Sequence, residues 1–66
     1  MFYARHTNNG GELWTVRFYN RAERDAFCAQ VQGAEPVRSK SAKYIPGADR
    51  CITYSGQDAK GAWLPV

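Results

Sequence analysis

The run Asn8-Asn9-Gly10-Gly11 separates two stretches, Phe2 to Thr7 and Leu13 to Tyr19, that are rich in aromatic and β-branched residues. Asn and Gly supply the positive φ angles that a tight turn needs, so the two stretches are constrained to fold back on each other as a β-hairpin. In the second, Trp14, Val16 and Phe18 alternate with Thr15, Arg17 and Tyr19. Strand side chains point to opposite faces in turn, which assigns the first set to a buried face.

Two registers are open to this hairpin. A three-residue loop of Asn9 to Gly11 sets Phe2 opposite Phe18, Ala4 opposite Val16 and His6 opposite Trp14, and leaves Tyr3, Arg5, Arg17 and Tyr19 on the outer face. A two-residue Asn9-Gly10 turn flips the first strand, because a one-residue slip moves every side chain to the other face. We favour the first, which stacks apolar on apolar and gives Gly11 the left-handed position after a type I turn.

Asn20 then opens a helical segment from Arg21 to Gln32, with Glu23 placed as in a capping box and Gly33 as the C′ residue. Phe27 and Val31 share one face with Cys28 beside them, a stripe suited to packing on Trp14, Val16 and Phe18. Arg24 falls on that same stripe; its stem is expected to pack while its head reaches solvent, the alternative being a buried pair with an acidic residue. Beyond Gly33, Glu35-Pro36 marks an extended lead-in, and Val37 to Ile45 reads as a short helix or an irregular basic loop ended by Pro46-Gly47. Arg50 to Tyr54 reads as a third strand, Ser55 to Gly61 as a polar loop, and Ala62-Trp63-Leu64 as a final short strand or anchoring tail. The expected fold is α+β: a small antiparallel sheet, made of the N-terminal hairpin and one or two C-terminal strands, packed on one helix in the order ββαβ(β).

A chain of 66 residues holds one hydrophobic core, so residues 1–66 are read as a single domain whose small core makes a homodimer a reasonable state. A hydrophobic share of 44%, including 14% aromatic, is enough for a packed interior and argues against disorder. No basic leader precedes an apolar run and no stretch is long enough to span a membrane. We therefore expect a cytoplasmic protein that does not enter membranes, and read the start at Met1 on a strand pattern as that of a complete small product.

The formal charge of +3 permits nucleic acid without demanding it. Cys28 and Cys51 lack CxxC spacing, and with His6 they make up the soft ligands, too few for a structural zinc site without a carboxylate such as Asp49. Both are read as buried, reduced thiols, and no metal or other cofactor is expected. The carboxylates are scattered, no nucleophile signature surrounds either cysteine, and Asn9-Gly10-Gly11 lacks the lysine and strand-to-helix setting of a phosphate loop. A non-enzymatic binding module is the reading that remains. Its candidate contacts are Tyr3, Arg5, Arg17 and Tyr19 on the outer sheet face, the basic set Arg38, Lys40, Lys43 and Arg50, and Trp63 in the tail. Tyr and Arg are enriched at protein interfaces, which favours a protein partner, occupied as a small bacterial or phage regulator or inhibitor would occupy it. The same Tyr/Arg face could instead stack the bases of a single strand while the basic segment meets phosphates.

Overall fold

A computed structural model describes residues 1–38 and 50–66. In chain order the elements are β1 (Phe2–Thr7), β2 (Leu13–Phe18), α1 (Arg21–Gln30), β3 (Ala34–Val37), β4 (Arg50–Gln57) and β5 (Trp63–Pro65). The five strands form one sheet in the order β3-β1-β2-β4-β5, with α1 packed on one face. The architecture is α+β.

The hairpin adopts the register that stacks apolar on apolar: Phe2 opposes Phe18, Ala4 opposes Val16 and His6 opposes Trp14. Asn8 organises the turn. Its backbone N–H donates to Glu12 O, its carbonyl accepts from Gly11 N, and its Oδ1 accepts from Gly10 N and Glu12 N. Gly11 then takes φ +81°, the left-handed position that this three-residue loop requires. Asp58 repeats the device before β5: its Oδ1 accepts from Lys60 N and Ala62 N, and Gly61 takes φ +87°.

The helix begins where the cap places it, with Asn20 Oδ1 accepting from Glu23 N at 2.8 Å. Glu23 returns the contact through Oε1, which accepts from Asn20 Nδ2 at 2.9 Å. It ends at Gln30, two residues before the expected Gln32, because Val31 turns to extended geometry while still bonding Phe27 O. Gly33 follows at φ +87°, and its carbonyl accepts from Thr7 N at 3.1 Å, tying the helix exit to the end of β1.

Two features of the sheet depart from the sequence reading. The extended lead-in around Pro36 is a full edge strand, β3, antiparallel to β1. Thr7 and Gly33 form a hydrogen-bonded position, so by alternation the nitrogen of Pro36 points away from β1, where a missing N–H costs no ladder bond. The other departure concerns β4, which runs parallel to β2 and makes the sheet mixed rather than wholly antiparallel. It also continues to Gln57 through Ser55-Gly56, residues read from sequence as loop.

Ala4, Val16, Phe18 and Phe27 are buried, and Trp14, Cys28, Val31, Ala34, Ile52, Tyr54 and Trp63 pack around them. Trp14, Val16, Phe18, Phe27 and Val31, the faces expected from sequence to pack together, all lie in this one cluster. Cys51 does not join it. It is exposed, because its register partner is Thr15 rather than Val16, which puts it on the face away from α1. Positions 39–49, including the expected short helix or basic loop, lie outside the described residues apart from its first two positions.

Candidate binding surfaces

The sheet face away from α1 gathers much of the predicted site. Tyr3 lies directly opposite Arg17, and Arg5 opposite Thr15, on adjacent antiparallel strands. Tyr19 follows β2 and is 58% exposed. The face is not open throughout, since Thr15 in the central strand is only 7% exposed and Arg17 is half-buried. Arg5 and Cys51, to either side of Thr15, are exposed, as is Tyr19 at the end of the face. There a hollow of about 400 Å³ is lined by Met1, Arg17, Tyr19, Cys51, Ile52, Thr53 and Val66. Arg17 Nε is buried and meets no acceptor among the described residues.

Three other predicted contacts are placed elsewhere. Arg50 lies opposite Trp14, on the α1 side of the sheet, with its guanidinium 4.9 Å from the Trp14 ring centroid. Such a stack is worth about 0.5–1 kcal/mol at an exposed site and needs no ligand. Trp63 is no free anchor, because its ring meets Phe18 and Phe27 edge-on, each at a centroid distance of 5.5 Å. Arg38 stands just beyond β3 and is distant in the sheet order from Arg50, so the two do not form one patch along a strand. Lys40 and Lys43 lie outside the described residues.

A second hollow, of about 320 Å³, opens between the start of β1, the first turn of α1 and the end of β3. It is lined by Met1, Phe2, Tyr3, Arg21, Arg24, Val37 and Arg38. The head of Arg24 does not escape to solvent as expected; the side chain is 4% exposed. Its Nε donates to Asp25 Oδ1 at 2.6 Å, and its Nη1 donates to the carbonyls of Val37 and Tyr3 at 3.3 and 3.4 Å. The alternative read from sequence, pairing with an acidic residue, is met by Asp25, and two strand carbonyls complete the contacts of the head. Arg21 and Arg24 both stand over the Phe2 ring, at 5.6 and 5.9 Å from its centroid. Sequence reasoning missed this cluster. The signal available was two arginines in the first turn of a capped helix; the contribution of Phe2 and Arg38 depends on tertiary packing.

The two thiols differ in environment. Burial pushes the Cys28 thiol above its ordinary range, against a smaller opposing pull from the Arg24 guanidinium, whereas Cys51 is exposed. Thiolate is the reactive form, so a disulfide reagent at mildly alkaline pH should titrate one thiol rapidly and the other slowly. Peptide mapping after a brief pulse of iodoacetamide is expected to find the label on Cys51; equal labelling of Cys28 would contradict its packed position. Among the described residues, no group of three His, Cys, Asp or Glu side chains converges as a metal site would require. No described helix is long and apolar enough to cross a membrane.

No protein-family model, curated protein or solved structure matches the chain.

Proposed function

We propose that the chain is a non-enzymatic protein-binding module, acting by occupying a partner protein as a small regulator or inhibitor would. The observation that supports this most is the clustering of exposed apolar groups around one arginine. Met1, Tyr19 and Val66, which are 53%, 58% and 75% exposed, line the hollow that also contains Arg17. Tyr and Arg set in an apolar surround are among the residue types that dominate binding energy at protein interfaces. The described edge strands β3 and β5 are short and carry Pro36 and Pro65, features that blunt strand addition, so recognition falls to side chains.

A single strand of nucleic acid is the second reading, supported by the adjacency of Tyr3, Arg5 and Arg17. It fits the Tyr19 hollow less well, because one guanidinium among apolar groups neutralises little of a phosphate backbone. The readings are separated by placing a photo-crosslinking phenylalanine derivative at Tyr19, with exposed Ala29 on α1 as the control position. A discrete, nuclease-resistant protein adduct at position 19, absent at 29 and lost with Arg17→Ala, is the expected result. A product of twice the chain mass would identify the partner as a second copy. Nuclease-sensitive adducts, or none above the control, would overturn the protein-binding reading.

A further inference from the structure

We infer that the hollow between the starts of β1 and α1 and the end of β3 is a binding site for a phosphate monoester, a site separate in residues and chemistry from the Tyr19 hollow. Three guanidinium groups, those of Arg21, Arg24 and Arg38, line it. Among the described residues, Asp25 is the carboxylate that pairs with two of them, 2.6 Å from Arg24 Nε and 3.8 Å from Arg38 Nη2. The cluster keeps an excess of two positive charges, which matches a phosphate monoester dianion better than a singly charged carboxylate.

Arg21 and Arg24 occupy the first turn of α1, the end that the helix dipole makes positive, together with Glu23, whose carboxylate is engaged by the Asn20 side chain, and the last turn carries no basic residue. Two cations at this end oppose the dipole, and an anion bound beside them offsets that. Arg24 is also preorganised. Its Nε and Nη1 are held by Asp25 and by the Tyr3 and Val37 carbonyls, and none of these contacts uses Nη2. Arg21 and Arg38 lie at the exposed rim, where their heads are accessible to a bound group. Phe2 supplies an apolar wall under two of the cations, suited to the organic body that carries the ester.

The test is a titration of the intact chain followed by ¹H–¹⁵N correlation spectra that include the arginine Nε–Hε signals. The probes are inorganic phosphate, phenyl phosphate and benzoate. Phenyl phosphate is expected to bind most tightly and benzoate least, with shifts concentrated at Arg21, Arg24, Arg38 and Phe2. Arg21→Gln and Arg38→Gln alter exposed side chains and leave the buried Arg24 contacts in place. Each should weaken phenyl phosphate about tenfold, as loss of a hydrogen bond to a charged group implies. Lys60→Gln, in the turn before β5, should change nothing. Shifts spread evenly over Arg5, Arg50 and Lys60, benzoate binding as tightly as phenyl phosphate, or full affinity in both arginine variants would each overturn the site. A phosphotyrosyl peptide and a sugar phosphate then separate a modified protein from a free ester as the source; tighter binding of either supports the site.

Discussion

Phe27→Ala is expected to remove about 3–5 kcal/mol of folding stability, as truncation of a buried aromatic does. The ring is 3% exposed and sits among four others: His6 at 5.7 Å edge-on, Phe18 at 5.3 Å, Tyr54 at 5.7 Å and Trp63 at 5.5 Å between centroids. It is the side chain by which α1 reaches residues of β1, β2, β4 and β5 at once, so its loss opens a cavity that no single neighbour can fill. For a domain of this size each kcal/mol lowers the melting temperature by roughly 4–8 °C. Against the ~5–15 kcal/mol available to ordinary domains, and the low end expected of a short chain, most of the molecules should unfold at physiological temperature. Thermal denaturation followed by circular dichroism checks this. Val31→Ala, at a half-buried position on the same stripe, should cost visibly less. A Phe27→Ala protein melting within a few degrees of the parent would mean that α1 packs through a different face.

Gly33→Ala should rank next, with a loss above the roughly 1–2 kcal/mol that a left-handed conformation alone imposes on an L-residue. Gly33 has φ +87°, and a Cβ built on it would lie 2.6 Å from the carbonyl oxygen of Thr7. That oxygen belongs to backbone, and the two segments are joined by the Thr7 N to Gly33 O bond, so relief requires opening the end of the β1–β3 ladder. Gly11→Ala is the matched control: its φ is +81° and nothing lies within 4 Å of the added carbon. The difference between the two variants in urea denaturation isolates the steric part. Equal losses would show that the close approach to Thr7 is relieved without disrupting β3.

The hairpin register, the helix start and the core stripe were legible because each rests on contacts between near neighbours in sequence. Asn8 to Glu12 closes a turn within five residues, Asn20 caps Glu23, and the two-residue alternation of Trp14, Val16 and Phe18 survives in any sheet that covers one face. The predicted site was legible only in part, and for the same reason. Tyr3 and Arg17 meet because the hairpin register brings them together, whereas Arg50 lands on the opposite face because its strand pairs with β2 and sets it against Trp14.

By itself, then, the amino-acid sequence determined the elements whose energetics are local: turns that demand Asn, Asp or Gly, a capped helix with one apolar stripe, and strands that alternate. The tertiary structure decided which strands became neighbours. A four-residue segment holding Pro36 has little propensity to be a strand until β1 offers it an edge, and the direction of β4 is set by the sheet it joins rather than by its own residues. The same pairing exposed Cys51 while Ile52 packed, and it delivered the carbonyls of Tyr3 and Val37 to Arg24. Neither outcome is encoded by side-chain period alone, because both depend on groups far apart in the chain whose proximity follows only from closing the whole sheet over α1.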